Sequence, residues 1–168
     1  SQSEIDRQAG MEEAFKASGF TINAETVSAA DINLEGGLGL WDDLVIRKAE
    51  GELDYAMCAN STNSLGCLAA SESAGRTDYK VFGIDDEADQ LAALTKENSI
   101  YYATVAQNPF EIGVQVMEAA VHAVEGQDDG IVKVDGILVT RDTVQEYMAN
   151  REKSLEELKD YLAIITAS

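Results

Sequence analysis

The sequence is poor in proline, cysteine, histidine and basic residues, and each scarcity excludes a class of structure or partner. Its 168 residues include one proline, two cysteines and one histidine, and 31 Asp and Glu stand against 12 Lys and Arg. The resulting formal charge of −19 disfavours nucleic-acid partners, because the phosphate backbone repels an acidic surface. Two cysteines, Cys58 and Cys67, do not make a disulfide framework, and we expect both to be buried. No apolar run approaches the ~18 residues of a membrane span.

The residue sets of the common catalytic sites are also missing. His122, the one histidine, falls in a predicted helix with no second metal ligand nearby. There is no Ser–His–Asp set, no G-x-S-x-G turn and no phosphate-binding loop. We therefore predict a protein that is not an enzyme and has no cofactor. Two alternatives stay open: Asp85 and Asp86 as the start of an acidic metal site, and Ser1 as the N-terminal nucleophile of a hydrolase subunit.

Helical and strand patterns alternate along the chain, and 45% hydrophobic residues are enough for a core. Short, continuous apolar strands between amphipathic helices predict a parallel sheet in an α/β fold. The predicted strands cover residues 21–29, 53–59, 79–84, 100–106 and an extended segment, 131–140. The predicted helices cover residues 5–18, 34–50, 62–73, 87–95, 109–125 and 141–165.

A polar side chain follows each of the first four predicted strands, namely Asp31, Asn60, Asp85 and Gln107. Ligands of open α/β sheets bind beyond the carboxyl ends of the strands. Asp and Asn also cap helices, so any one of them has an ordinary explanation, but Gln is a poor N-cap. Amides both donate and accept hydrogen bonds, and carboxylates accept them. The set therefore predicts a site for a ligand rich in hydroxyl groups, as a sugar is.

Four stretches carry a family resemblance: "DRQAGMEEAF", "LDYAMCANSTNSLGCLAASESAGRTDYKVFGIDDEADQ", "IYYATVAQNPFEIG" and "VDGILVTRDTV". Over residues 5–147 the chain resembles the type 1 periplasmic binding proteins of ribose/galactose type. Members have two α/β lobes that close on a sugar and deliver it to an ATP-driven importer or a membrane receptor. The resemblance implies a doubly wound parallel sheet with flavodoxin-like strand order, covered on both faces and incomplete without the N-terminal part.

The resemblance also implies roles for individual residues. Arg7 matches an arginine that bonds sugar hydroxyls, and Asn60 matches the amide of an Asn–Asp pair. Asp85 matches the carboxylate of a Gly-Phe-Asp turn, and Gln107 matches a glutamine that contacts sugar at the hinge. Asp31 lies where the family often has a stacking aromatic nearby. The ligand-binding residues implied are therefore Arg7, Asp31, Asn60, Asp85 and Gln107.

Two departures from the family pattern concern the ligand. Ser61 stands where the pair has its aspartate, and Ile32 stands where the aromatic is expected. These differences leave the sugar unspecified and leave room for a polyol.

The resemblance implies that the chain corresponds to a C-terminal portion of the family fold. Residues 1–108 match the C-terminal ligand-binding lobe without its first strand, and residues 109–130 match a hinge crossing and a helix that packs on the other lobe. Residues 131–147 match a return strand and the start of a terminal helix, and residues 148–168 form a helical tail. We expect that a companion polypeptide or a segment swap with a second copy supplies the missing N-terminal lobe, or that nicking has separated it from this chain.

The implied function is that of the sugar-binding component of an ATP-driven carbohydrate importer. The implied partners are a small sugar or polyol, the missing lobe and a membrane permease. The implied location is periplasmic or extracellular, with a lipid anchor at the absent N-terminus left open. A sugar-sensing receptor ectodomain, which the helix over 141–165 would suit, and a lac-repressor-like effector domain stay as alternatives.

Overall fold

Four short strands form one open sheet, and six helices connect or flank them in a computed structural model that describes residues 1–19, 23–29 and 31–166. The strands are β1 (Tyr55–Met57), β2 (Lys80–Ile84), β3 (Tyr101–Ala106) and β4 (Ile137–Thr140). The helices are α1 (Gln2–Ala17), α2 (Leu34–Arg47), α3 (Ser61–Ala74), α4 (Ala88–Thr95), α5 (Pro109–Val124) and α6 (Val144–Thr166). Among these described helices none is long and apolar enough to cross a membrane.

The sheet has the order β1-β2-β3-β4, with the first three strands parallel. This arrangement confirms the predicted α/β fold, and its sequential order is that of the later strands of a flavodoxin-like sheet. The fourth strand differs from the prediction of a purely parallel sheet. It runs antiparallel to β3, with Ile137 opposite Ala106 and Thr140 opposite Ala103. The sheet is therefore mostly parallel, with one antiparallel edge.

Helices α3, α4 and α6 lie over one face of the sheet, which we call the covered face. Helix α3 packs on β2, α4 on β3 and α6 on both α4 and β4, while α2 packs on α3. Side chains from the strands, among them Val81, Tyr101 and Val139, are fully buried beneath these helices. Burial of this apolar surface is the main stabilising term of the fold.

Helices α2 and α3 approach each other so closely that only glycine fits at their crossing. A Cβ atom on Gly66 would lie 2.5 Å from the backbone carbonyl carbon of Gly37, and a Cβ on Gly37 would lie 2.6 Å from the carbonyl oxygen of Thr62. The contact joins two backbones, so neither side can yield by a rotamer change. These glycines therefore set the distance between the two helices.

Arg76 joins the end of α2 to the start of β2. Its guanidinium donates to the carbonyl oxygens of Val45, Lys48 and Ala49 at 3.1, 2.7 and 3.2 Å, respectively. It also forms an ion pair with Asp78, with 2.6 Å between Nε and Oδ1. The hydrogen bonds from Arg76 hold the pKa of Asp78 well below its usual range. The group thus satisfies carbonyls at a helix C-terminus that would otherwise lack partners.

The opposite face of the sheet, the open face, presents apolar side chains that are half-buried or exposed. The rings of Tyr55, Phe82 and Tyr102 form a row, with centroids 5.8 and 6.2 Å apart. On this face the Phe15 ring of α1 lies 6.5 Å from Tyr55. Within the described residues, the helices that pack extensively on the strands, α3, α4 and α6, are therefore on one face of the sheet and not on both faces as predicted. Other members of the open face include Met57, Ile84, Val105 and Leu138.

A bulge in β3 decides which side chains reach each face. Val81 pairs with Tyr101, but the next residue, Phe82, pairs with Ala103, so Tyr102 is the extra residue. The simple alternation of side chains changes phase there. Tyr101 and Thr104, three positions apart, are consequently both buried.

The predicted strand over residues 21–29 is wrong where it can be compared. Residues 23–29 have no regular structure, and the first two residues of that prediction lie outside the described residues. In the part of the chain that the structure describes, β1 pairs only with β2, so no neighbouring strand is present for this segment. A single strand without a hydrogen-bonding partner is not stable. Within the extended segment predicted for residues 131–140, the structure has a strand only over β4.

Candidate functional site

Asp85 ends β2 in a backbone conformation that is rare for a residue with a side chain, with φ at +82°. Two hydrogen bonds between Asp85 and β3 hold this turn. The N–H of Asp85 donates to the Val105 carbonyl at 2.9 Å, and the Thr104 hydroxyl donates to the Asp85 carbonyl at 2.6 Å. Strain of this kind persists only where surrounding contacts impose it, and it is common at binding sites.

The Asp85 carboxylate connects three elements at the carboxyl edge of the sheet. Its Oδ2 accepts the backbone N–H of Ser61, the first residue of α3, at 2.9 Å, and its Oδ1 accepts from the side-chain amide of Gln107. Asp85 and Gln107 therefore lie in direct contact, as their positions after neighbouring strands predict. A negative charge at the start of a helix is also favourable.

Asn60 and Arg7 lie next to this pair, but their polar groups are engaged within the chain. Asn60 caps α3, since its Oδ1 accepts the N–H of Asn63 at 3.0 Å, and its Nδ2 donates to Glu4 at 3.0 Å. Arg7 donates from Nη1 to the carbonyl of Ala59 at 2.8 Å. Both residues thus lie at the beginning of α3, which the Asp85 carboxylate contacts.

Asp31 differs from the other four candidates. It lies in a bend before α2, not at a strand end, and it is exposed. Within residues 1–19, 23–29 and 31–166 its side chain forms no hydrogen bond with Arg7, Asn60, Asp85 or Gln107. The difference follows from the absence of a strand over residues 23–29. Roles in ligand binding for all five residues stay a prediction.

A groove of about 430 Å³ opens beside Asp85. It is lined by Asp85, Asp86, Glu87, Gln107, Pro109, Ile112 and Arg151. Three carboxylates, one amide and one guanidinium thus face a short apolar wall. This composition suits a polar, uncharged ligand, because hydroxyl groups can donate to the carboxylates and accept from the amide.

Helix α6 contributes to this site, which the sequence did not predict. The Tyr147 hydroxyl donates to Asp86 Oδ2 at 2.7 Å. Arg151 donates to the Asp86 carbonyl at 2.9 Å and forms an ion pair with its carboxylate at 3.3 Å. Burial and the adjacent Asp86 carboxylate raise the pKa of Tyr147. The one sequence feature that could have indicated this shared contact is the spacing of Tyr147 and Arg151, which are four residues apart and therefore on one side of a helix.

The alternative of an acidic metal site at Asp85 and Asp86 gains no further ligands in the described part of the chain. Among the described residues, no group of three or more His, Cys, Asp and Glu side chains is arranged to hold a metal ion. Cys58 and Cys67 are free and buried, as predicted. The neighbouring Cys67 thiol and burial raise the pKa of Cys58, so Cys58 is not an activated nucleophile. His122 is on the surface of α5 and pairs with Asp129 at 2.8 Å.

An open, mostly parallel α/β sheet with carboxylate and amide side chains at its carboxyl edge is the architecture of a ligand-binding lobe. The family model described as "Periplasmic binding protein domain" matches residues 1–128. The chain belongs to this family of periplasmic binding proteins, as the sequence resemblance predicted, and membership implies a periplasmic location.

Individual relatives agree with this assignment. The ribose import binding protein of Salmonella typhimurium is 30% identical over 122 residues, which are 73% of this chain and 39% of that protein. A solute-binding protein of an ABC transporter from Bacillus halodurans, solved with bound myo-inositol, is 30% identical with a TM-score of 0.62, over 71% of this chain and 41% of that one. The chain therefore spans about two fifths of the length of these relatives.

A third relative shows the fold alone. The binding component of the arabinose ABC transporter from Shewanella has a TM-score of 0.73 at 20% identity, and the match covers 92% of this chain and 52% of that one. These relatives are described as transport binding proteins.

Proposed function

We propose that the chain is part of the sugar-binding component of an ATP-driven carbohydrate importer. The observation that carries the proposal is the contact between Asp85 and Gln107 at the carboxyl edge of the sheet, in a chain of the periplasmic binding protein family. Asp85, Gln107, Asn60 and Arg7 bind the hydroxyl groups of a small sugar or polyol. The ligand then replaces some of the internal hydrogen bonds that these side chains make.

The experiment is a panel of pentoses, hexoses and polyols added to the whole protein, with every segment its gene encodes, and read by thermal shift. Calorimetry then measures the dissociation constant of the sugar with the largest shift. Asp85→Ala and Gln107→Ala are expected to weaken binding at least tenfold, since each leaves ligand hydroxyls without a desolvated partner. Asp42→Ala, an exposed acid on α2, is the matched control. A panel without any shift, or two variants that bind like the parent, contradicts the proposal.

We propose further that the functional unit includes a second lobe that covers α5. The proposal is supported by the apolar surface of α5, where none of the helix residues is buried although Phe110, Val116, Met117 and Val121 are large and apolar. A patch of this kind marks a contact surface. Residues 1–108 and the return strand would then form one wall of a cleft, and residues 109–130 would cross to the other wall.

The size of the protein in solution tests this second proposal. Intact mass and sedimentation are measured on material purified from its cell of origin. A longer polypeptide, a companion chain or a dimer is expected. A 168-residue species that is monomeric would contradict it.

A further inference from the structure

The turn that carries Asp85 is attached to the C-terminal helix through the next residue. Asp86 accepts hydrogen bonds from Tyr147 at 2.7 Å and, through its carbonyl, from Arg151 at 2.9 Å. The Asp86 side chain is only 12% exposed, whereas that of Arg151 is 43% exposed, so the Tyr147 contact is the better shielded of the two. Neither Tyr147 nor Arg151 reaches Asp85 itself by a hydrogen bond within the described part of the chain.

We propose that Tyr147 and Arg151 are positioning residues of the ligand site: by holding Asp86 they keep the adjacent Asp85 turn, and hence the Asp85 carboxylate, in the orientation that binds the ligand. The inference deepens the function proposed above and rests on it. It assigns to α6 a part in binding although the helix follows the sheet by sequence and none of the strand-end residues belongs to it.

The backbone of Asp85 explains why a second anchor is needed. At φ +82° the residue is in the left-handed region of backbone conformation, which residues with a Cβ atom rarely adopt. Thr104 and Val105 hold the turn from β3, on the side of Asp85 that faces the sheet. Asp86 is the residue through which the turn continues toward α4, and α6 holds it from that side. Removal of either anchor allows the turn to relax toward an ordinary conformation.

Electrostatics favour the same arrangement. Asp85, Asp86 and Glu87 follow one another in the sequence and line the groove, so their negative charges repel one another. Among the described residues Arg151 is the one cationic residue that lines the groove, and its ion pair with Asp86 offsets this repulsion. Without it, the charge of Asp86 would act on Asp85 unopposed.

Helix α6 is suited to this role because its beginning is firmly packed. Val144 in its first turn is fully buried, and the helix packs on both α4 and β4. A side chain placed by a packed helix is held more accurately than one placed by a loop. The position of α6 is therefore transmitted to Asp86 with little freedom.

The experiment compares variants of the whole protein, with every segment its gene encodes. Tyr147→Phe removes only the hydroxyl group, Arg151→Ala removes both contacts of the guanidinium, and Arg151→Lys keeps the charge without the fork. Two controls separate positioning from stability. Lys153→Ala alters an exposed residue of the same helix that pairs with Glu157, and Leu94→Ala destabilises the buried core of α4 without touching Asp86.

The first measurement needs no ligand. Hydrogen exchange of the Ser61 amide, which donates to Asp85, is followed by NMR. We expect the Ser61 amide to exchange at least threefold faster in Tyr147→Phe and in Arg151→Ala than in the parent. This change is taken relative to the change in the amides of the core strand β2. The second measurement is the dissociation constant for the panel sugar that gives the largest thermal shift. It should rise about tenfold for Arg151→Ala and about threefold for Tyr147→Phe, with partial recovery in Arg151→Lys.

The outcomes distinguish this inference from the proposed function. If no panel sugar binds the unaltered protein, the proposed function fails, and the Ser61 exchange still decides whether α6 holds the turn. If Ser61 exchange and affinity both stay unchanged in Tyr147→Phe and Arg151→Ala, the positioning role is wrong. It is also wrong if Leu94→Ala lowers the affinity as much as Arg151→Ala does, because the effect would then be one of general stability.

Discussion

The covered and open faces of the sheet are built from the same strands and differ in what lies over them. On the covered face Val81, Tyr101 and Val139 are fully buried under α3, α4 and α6. On the open face Tyr55 and Leu138 keep 53% and 62% of their surface exposed, although they are equally apolar. Apolar sequence alone therefore does not tell which face the chain covers with its own residues.

The contrast extends to the helices. Helices α2, α3 and α4 each bury several residues, whereas α1 and α5 bury none. The three helices that bury residues contact the covered face of the sheet or the other helices on that face. Helix α1 lies beside the open face through Phe15, and α5 follows Gln107 in the chain. What differs is therefore the presence of a partner surface, and substitutions on the two sides should have very different effects.

The largest expected effect is on the covered side, at Arg76. Arg76→Ala leaves three carbonyl oxygens and the Asp78 carboxylate without their partner, which should lower the free energy of unfolding by about 2–4 kcal/mol. Urea denaturation measures the change. Arg47→Ala is the control, because its ion pair with Glu25 is exposed and should contribute at most about 1 kcal/mol. Equal effects of the two variants would show that the Arg76 contacts add nothing special.

The crossing of α2 and α3 should show the next effect. Gly66→Ala places a Cβ atom 2.5 Å from the Gly37 backbone, so the helices must separate at a cost of about 1–3 kcal/mol. Gly39→Ala, in α2 with nothing within 4 Å of the new atom, should instead stabilise the helix by up to about 1 kcal/mol. Thermal unfolding compares both with the parent. A neutral Gly66→Ala would mean that the helices are not held at this distance.

Two neighbouring residues of β4 give the most direct test of the two faces. Val139 is fully buried on the covered face, and Leu138 is 62% exposed on the open face. We expect Val139→Ala to lower the free energy of unfolding by about 1–3 kcal/mol and Leu138→Ala by less than about 0.5 kcal/mol. Both are measured by urea denaturation of the 168-residue chain. A large loss in Leu138→Ala would indicate that the open face is covered in solution.

The smallest expected effect is a dependence of stability on pH through Asp78. The pKa of Asp78 is lowered in the folded chain, so its contribution is complete above the unfolded value of 3.8 and is lost as the pH falls through the lower folded value. Between pH 5 and pH 2 the parent should therefore lose more stability than Asp78→Asn. Asp42→Asn, on the exposed side of α2, is the control. Parallel pH profiles for the parent and Asp78→Asn would contradict the effect.

Local signals in the sequence were sufficient for elements that depend on local interactions. The Pro109 start of α5 and the left-handed Gly75 after α3 are as expected, since proline and glycine act on the backbone directly. The contact of Asp85 with Gln107 followed from strand order, because the carboxyl ends of parallel strands meet at one edge.

Features that depend on distant partners were not predictable. Residues 23–29 have the composition of a strand, but pairing decides strand formation, and in the described part of the chain β1 pairs only with β2. The antiparallel direction of β4 is a property of the long connection before it. Likewise, nothing in the sequence around Tyr147 indicates that its hydroxyl group meets Asp86, 61 residues earlier.

The bulge at Tyr102 makes the allocation of side chains after it depend on chain length as well as on residue type. Deleting Tyr102 would restore strict alternation and leave Thr104 and Val105 on their present sides, because Tyr101 and Thr104 would then be two positions apart. A substitution that flattened the bulge without shortening the chain would instead exchange the sides of the residues that follow. Val105 would then turn toward the helices, and Thr104 would turn away from the Asp85 carbonyl to which its hydroxyl group donates. One extra residue thus keeps the carboxyl end of β2 attached to β3.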